Sequence, residues 1–148
     1  MKIIVKEINP IEYFDIAAEL LQENWKASGA DFDFIPADAR KMYEYLNASG
    51  ALFGSGAFVD GKMVGYCIIT ITPHPVNHSI RVCSMTGMYL KPEFRKARAT
   101  LQLMDTVRRI AKENGSTFID WHGAAGSEFF QVLQARYKPV NGYFREQL

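Results

Sequence analysis

The stretch LKPEFRKARAT, residues 90–100, decides how this sequence is interpreted. A β-like run ends there and a helical pattern begins, and four basic residues lie within it, at Lys91, Arg95, Lys96 and Arg98. The N-terminus of a helix already carries partial positive charge, so basic side chains are unfavourable there unless an anion is bound. Free backbone N–H groups and basic side chains together bind phosphate. The stretch is therefore either a phosphate-binding turn or a solvated basic helix start.

The length and composition of the chain predict one folded domain over residues 1–148. Of its 148 residues, 48% are hydrophobic and 13% are aromatic, which is enough for one well-packed core. A net charge of +1 argues against a general nucleic-acid binder, because such proteins carry a strongly basic face. No apolar run approaches the roughly 20 residues of a membrane span. We therefore expect a cytoplasmic protein that binds neither nucleic acid nor membranes.

The hydrophobic pattern on both sides of this stretch predicts the element order β-α-α-β-β-β-α-β-α-β. Asp60-Gly61 is a strong hairpin signal between the second and third strands. A long helix is predicted from about residue 95 to 114, and PVNGYFREQL, residues 139–148, is predicted as a terminal strand. A three-stranded meander followed by a β-α-β crossover predicts an α/β (α+β) fold. Its central sheet is mixed and mostly antiparallel, with helices on both faces.

The two cysteines, Cys67 and Cys83, lie in the second and third strands of the predicted meander. If the connection between these strands turns at Pro75, the cysteines face each other. We predict packed, neutral thiols in the sheet interior. A disulfide is the alternative, although two cysteines are too few for a disulfide framework and disulfides are rare in a reducing cytoplasm.

The segment MYLKPEFRKARATLQLM, residues 88–104, resembles the central motif of the GNAT N-acetyltransferase superfamily. In that motif a strand leads, often through a Pro and an aromatic-Arg pair, into Arg/Gln-x-x-Gly-x-Gly/Ala at the start of a helix. Arg95 takes the Arg/Gln place, whereas Arg98 and Thr100 stand where the family has Gly or Ala. The order of elements resembles the family from end to end. The sequence is similar to the divergent, short members of the family from phage genomes. If the protein is phage-encoded, the expected location is the host cytoplasm.

This resemblance implies an acetyl-CoA-dependent N-acetyltransferase that moves an acetyl group to a primary amine by direct transfer in a ternary complex. Acetyl-CoA is implied as co-substrate, with no metal. Met88, Tyr89 and Leu90 are implied to lie along its acetyl and pantetheine arm. The implied backbone N–H donors to its pyrophosphate belong to Arg95, Lys96, Ala97, Arg98, Ala99 and Thr100. The acceptor could be a small-molecule amine or a protein amine, and a homodimer is possible.

The catalytic groups that the resemblance implies are replaced in this sequence. The family often has a Glu four residues before the position of Leu90, where this chain has Thr86, and a Tyr where it has Val132. Thr86 could hold a water that passes on a proton. His122 is a candidate base, because imidazole titrates nearest neutrality, and Tyr143 is a candidate acid. The alternatives are a hydrogen-bonding His in a turn and a half-buried strand Tyr.

The acceptor side is implied to involve GADFDFIP, residues 29–36, between the first two helices. Asp31 and Asp33 could attract a cationic amine, and Phe32 and Phe34 could flank it. A loop that is merely anchored by its aromatic residues is an equal alternative. The replaced catalytic groups also leave a second function open, namely a catalytically degenerate GNAT-fold protein that acts as a CoA-binding or protein-interaction module.

Overall fold

A computed structural model of the chain describes residues 2–95 and 97–148. The strands form a five-stranded sheet in the order β1-β2-β3-β4-β5. In chain order the elements are β1 (Ile4–Ile8), α1 (Phe14–Ala27), α2 (Pro36–Ala48), β2 (Leu52–Val59), β3 (Lys62–Pro73), β4 (Arg81–Leu90), a 3₁₀ turn (Pro92–Phe94), α3 (Ala97–Glu113), β5 (Phe118–Asp120) and α4 (Glu128–Arg136).

The sheet is mixed, as the sequence predicts. Strands β1 to β4 pair antiparallel, and β5 joins β4 in parallel after the crossover through α3. At the predicted β2–β3 hairpin, Asp60 and Gly61 have φ values of 49° and 77°. Two successive positive φ values are typical of the tight turn that matches strand twist, which explains the Asp-Gly pair. The predicted fold class is confirmed.

Helices cover both faces of the sheet. On one face, α3 buries Leu103, Val107 and Ile110 completely against the strands. On the other face, α1 contributes Ala17 and Leu20, and α2 packs over the same cluster with partly buried side chains. The three-to-four-residue spacing of the apolar positions gives each helix one buried side. The sheet is therefore buried between two layers of helices.

The outward face of α3 carries charged side chains. In α3 the exposed side carries Arg109, which pairs with Glu113 at 3.0 Å and with Glu7 of β1 at 3.3 Å. Exposed ion pairs of this kind contribute little to the free energy of unfolding, and their charged side chains keep this face of the helix hydrated. None of the helices in residues 2–95 and 97–148 has the length and apolar character of a membrane span.

The predicted pairing of the cysteines is wrong. Cys67 lies opposite Met88 and Cys83 lies opposite Ile71. The connection between β3 and β4 is longer than a turn at Pro75, because the amide of His74 bonds to the carbonyl of Ile80 at 2.8 Å. Both cysteines are buried free thiols, so the alternative of a disulfide is not found. Burial raises the pKa of both, to about 12 for Cys83.

The predicted terminal strand is also wrong, because residues 137–148 form no strand. Pro139 lacks a backbone N–H for a ladder, and Gly142 weakens the segment further. Val140 is 85% exposed and Phe144 is 99% exposed, so these side chains find no face on which to be buried. Without burial, nothing offsets the conformational entropy that ordering a strand would cost.

Candidate active site

Strands β4 and β5 separate soon after they meet. They pair at Val82–Phe118, Cys83–Ile119 and Ser84–Asp120, where β5 ends, while β4 continues to Leu90. On the β5 side, residues 85–90 therefore have no strand partner in the described part of the chain. A strand edge of this kind offers a row of backbone N–H and C=O groups to an extended ligand.

A bulge interrupts β4 where this free edge begins. Ile69 pairs with Met85 and Ile68 pairs with Gly87, so Thr86 is an extra residue on β4. Thr86 is exposed, and its hydroxyl donates a hydrogen bond to the carbonyl of Ile68 at 3.1 Å. The predicted catalytic Thr86 thus holds the bulge with its proton, while its oxygen can still accept a hydrogen bond.

Beyond the bulge, the side chains of β4 alternate between the two cores. Met88 and Leu90 pack on the α3 side, whereas Tyr89 packs on the α1 side. Leu90 is 4% exposed and Tyr89 is 8% exposed. Two of the three residues predicted along the coenzyme arm can therefore offer it little more than their backbone groups.

The turn after β4 is tied to the end of the strand by Arg95. The amide of Arg95 bonds to the carbonyl of Pro92 at 3.2 Å, which closes the 3₁₀ turn. Its Nε donates to the carbonyl of Leu90 at 2.6 Å, and its guanidinium lies 5.3 Å from the ring centroid of Tyr89. Arg95 therefore folds back on the strand and fixes the direction in which the chain enters α3.

Helix α3 begins at Ala97, two residues later than the predicted start. Of the predicted phosphate-turn residues, Arg98 is exposed, Thr100 is half-buried and Ala99 is 3% exposed. The first turn of α3 contains no acidic residue, so no side-chain carboxylate within it competes for an anion. Lys96 was predicted to belong to this turn and lies outside the described residues.

His122 and Tyr143, the other two predicted catalytic residues, come together beyond the end of β5. Their ring centroids are 5.8 Å apart. His122 is half-buried, whereas Tyr143 is 82% exposed. Thr86 and His122 each lie two residues beyond the last β4–β5 pair, which is Ser84–Asp120. They therefore begin the two sides of the same opening.

The loop between α1 and α2 contains the residues predicted to bind the acceptor. Phe32 is anchored there, because Trp25 Nε1 donates to its carbonyl at 2.6 Å and the two rings lie 5.0 Å apart. The Phe32 side chain is still 62% exposed, and Asp31 and Asp33 are exposed beside it. The loop thus combines a fixed aromatic anchor with two solvated carboxylates.

Glu23 of α1 is a polar neighbour of the site that the sequence analysis did not identify. Its Oε2 accepts a hydrogen bond from the hydroxyl of Tyr89 at 3.0 Å, and its Oε1 lies 3.9 Å from Lys91 Nζ. Burial and this hydrogen bond raise the pKa of Tyr89. Glu23 follows the buried Leu20 by three residues, so the two lie on the same side of α1. A charged residue on the apolar side of this helix is the feature of the sequence that points to Glu23.

Comparison with known proteins shows the family of the chain. The model of the acetyltransferase (GNAT) family matches residues 15–129, which is more than half of the chain. The chain belongs to the GNAT acetyltransferase family. This confirms the resemblance and the prediction of an acetyltransferase. A search of curated protein sequences finds no match.

Solved GNAT structures share the fold over almost the whole chain. A predicted acetyltransferase from Clostridium acetobutylicum, solved with acetyl-CoA, has a TM-score of 0.78 at 13% identity, covering 99% of this chain and 96% of that one. The aminoglycoside N-acetyltransferase AAC(6')-Iy, solved with a bisubstrate analogue, gives 0.75 at 20% identity and 100% coverage of both chains. A ribosomal-protein-alanine N-acetyltransferase from Brucella melitensis biovar Abortus 2308 gives 0.73 at 20%, covering 100% and 99%.

Proposed function

We propose that this GNAT domain, spanning residues 1–148, transfers an acetyl group from acetyl-CoA directly to a primary amine in a ternary complex. The observation that carries the proposal is the unpaired edge of β4, which starts at the bulge and leads through the Arg95 turn to the N-terminus of α3. An extended arm can pair with such an edge, and a phosphate can bind at such a terminus. These features fit the two ends of coenzyme A.

The coenzyme would be held mainly by backbone groups. Met88, Tyr89 and Leu90 would bind the acetyl and pantetheine arm through the free edge of β4. The pyrophosphate would accept hydrogen bonds from the backbone of Ala97, Arg98, Ala99 and Thr100, and of Lys96 before them. The amide of Arg95, which was also predicted as a donor, is bonded to the carbonyl of Pro92 instead. The exposed Arg98 side chain would add a charge-assisted contact to phosphate. This arrangement does not need a glycine at position 98, because a side chain that points to solvent leaves the backbone accessible.

The chemistry requires two proton transfers from the amine and one to the sulfur. The acceptor ammonium loses one proton and attacks the thioester carbon. The C–N bond then forms while the C–S bond breaks, the nitrogen loses a second proton, and the thiolate gains one. One proton is released overall. Backbone N–H groups of the free β4 edge would polarise the carbonyl, and much of the rate would come from holding both substrates together.

Three side chains would manage these protons. Thr86 would position a water through its free oxygen, because its proton is donated to Ile68. His122, on the other side of the opening, would accept the proton of the amine through that water. Tyr143, beside His122, would return a proton to the sulfur. Asp31, Phe32 and Asp33 would line the approach of the amine from the α1–α2 loop.

Titration calorimetry with acetyl-CoA tests the proposal directly. We expect saturable binding to the wild-type protein and weaker binding to Arg95→Glu, which places a negative charge against phosphate. Lys41→Glu makes the same charge change on the exposed side of α2 and should bind as the wild type does. Absence of binding at millimolar acetyl-CoA would contradict the proposal.

A second function is favoured by one observation, namely that position 86 carries a hydroxyl bonded to Ile68 where a carboxylate base would stand. The chain would then be a degenerate CoA-binding or protein-interaction module. Release of free CoA thiol, measured with a panel of primary amines, separates the two functions. Acetyl-CoA binding without thiol release from any amine would favour the module.

A further inference from the structure

Glu23 is placed to meet a ligand as well as Tyr89. Its neighbour Leu20, one turn earlier on α1, is 2% exposed, so this side of the helix faces the sheet. One carboxylate oxygen of Glu23 accepts the hydrogen bond from Tyr89, which fixes the side chain over β4. The Glu23 side chain is nevertheless 35% exposed, so it is not sealed from solvent, and its second oxygen is not used by Tyr89.

Two cationic side chains lie near this carboxylate, and neither makes a close hydrogen bond to it among the described residues. Lys91 Nζ, a primary ammonium group, lies 3.9 Å from Oε1, and both side chains are about one-third exposed. The Arg95 guanidinium lies on the ring of Tyr89. A distance of 3.9 Å is long for a charge-assisted hydrogen bond, so another ammonium could approach Oε1 more closely than Lys91 does.

Gly87 leaves room for a ligand on the side of β4 that carries Tyr89. It lies on the same side of β4 as Tyr89, two residues away, which corresponds to about 7 Å along a strand. Among the described residues, a Cβ at Gly87 would contact only Tyr66 within 4 Å, at an ordinary van der Waals distance of 3.6 Å. Between the bulge and Tyr89, this side of β4 therefore has a free space about as wide as one side chain.

We infer that Glu23, held by Tyr89, recognises the acceptor as a primary ammonium on an unbranched methylene chain that lies over Gly87. This inference rests on the proposed function, because it takes the free edge of β4 as the path of the acetyl group. The α3 side of that strand is packed with Met88 and Leu90, so the amine enters from the α1 side. A space left by one missing side chain suits an unbranched chain and disfavours the branched carbon of a peptide N-terminus.

Binding to the CoA-loaded protein tests this inference without turnover. The probes are 1,4-diaminobutane, Nα-acetyl-lysine amide and a short peptide whose amine is its N-terminus. We expect both unbranched amines to bind more tightly than the peptide. In Glu23→Gln their affinity should fall about tenfold or more, as expected for loss of a charged hydrogen-bond partner. Glu19→Gln removes the same charge from an exposed site on α1 and should leave the affinity for both unbranched amines unchanged.

A second variant covers the case in which Glu23→Gln lowers stability. Gly87→Val keeps Glu23 but fills the space over β4, and it should weaken all amine probes while acetyl-CoA still binds. If both variants bind the unbranched amines as the wild type does, or if the peptide amine binds best, the inference is overturned. The two unbranched probes also distinguish a small-molecule acceptor from a lysine side chain, since the preferred source binds more tightly.

The same titrations without CoA separate this inference from the proposed function. Binding of 1,4-diaminobutane that depends on Glu23, in a protein that does not bind acetyl-CoA, would overturn the proposed function and leave Glu23 as an ammonium site. Binding of acetyl-CoA together with amine binding that ignores Glu23 would overturn the inference alone.

Discussion

The Nε of Arg95 donates a hydrogen bond to the carbonyl oxygen of Leu90, 2.6 Å away. That carbonyl ends β4, and the same guanidinium lies against Tyr89. The bond therefore sets the angle between the free strand edge and the N-terminus of α3, which are the two parts of the proposed coenzyme site.

Arg95→Lys should separate charge from geometry at this turn. Lysine keeps the positive charge, but it lacks the planar fork that can bond Leu90 and stack on Tyr89 together. We expect the free energy of unfolding to fall by about 1 kcal/mol and acetyl-CoA to bind more weakly. Urea denaturation and calorimetry measure the two effects. Arg98→Lys, at an exposed position, should leave the free energy of unfolding unchanged. If both variants lose the same free energy of unfolding, Arg95 has no special role in the turn.

Gly65→Ala should displace the end of β4. A Cβ at Gly65 would lie 2.6 Å from Leu90 Cδ1 and 2.7 Å from the carbonyl oxygen of Tyr89, both too close. Overpacking of this kind costs about 1–3 kcal/mol, and we expect a lower melting temperature together with weaker acetyl-CoA binding. Gly87→Ala is the matched control, because its Cβ has a contact of 3.6 Å. A Gly65→Ala protein as stable as Gly87→Ala would show that β4 tolerates the shift.

Thr86→Val should loosen the bulge, because valine keeps the shape of threonine and loses the hydrogen bond to Ile68. We expect a loss of about 1 kcal/mol in the free energy of unfolding, measured in urea. Thr86→Ser retains the hydroxyl and should keep most of this stability. If Thr86 also positions the catalytic water, Thr86→Val lowers kcat more than Thr86→Ser does. Equal kcat in the two variants would remove that role.

Tyr143→Phe tests the proposed acid. The variant keeps the aromatic contact with His122 and removes only the hydroxyl. Because Tyr143 is 82% exposed, we expect unchanged stability and unchanged acetyl-CoA affinity, with a lower kcat. Phe144→Leu, at the neighbouring exposed position, is the control. A kcat equal to that of the wild type would assign the proton transfer to solvent.

The thiols of Cys67 and Cys83 should be inert in the native protein. Burial raises the pKa of both, for Cys83 from 9.0 to about 12, so the reactive thiolate is scarce at pH 8. A thiol reagent should modify them only after denaturation. Since the folded state holds these protons more tightly than the unfolded state, their contribution to stability is complete below about pH 9 and is lost as the pH rises toward 12. Rapid labelling of the native protein at pH 8 would contradict their burial.

Features set by local chemistry could be predicted from the sequence. The turn at Asp60-Gly61 needs two positive φ values, so the sequence predicts the hairpin there. The helical pattern of residues 95–114 likewise predicts a long helix, which the structure has at Ala97–Glu113. The register of β3 and β4 was missed because it depends on the length of the connection, residues 74–80. Periodicity says nothing about where such a connection turns.

Tertiary contacts account for the other differences. Tyr89 and Glu23 are 66 residues apart in sequence, so only the packing of α1 on β4 brings them together. Residues 139–148 have strand-like composition, but strand formation needs a partner and a face to cover, which composition cannot supply. Lys96, central to the basic stretch, lies outside the described residues, so its part in the turn stays a prediction.

Because the β4–β5 ladder ends after three residue pairs, it also determines which part of the sheet unfolds locally first. β5 is held to the sheet by three residue pairs, whereas β3 and β4 pair along almost their whole length. Backbone amides of β5 and of the following α4 should therefore exchange with solvent through local opening, well before those of β3. The β4 side and the β5 side of the opening thus differ in local stability. A bound ligand that bridges them should therefore slow amide hydrogen exchange mainly on the β5 side.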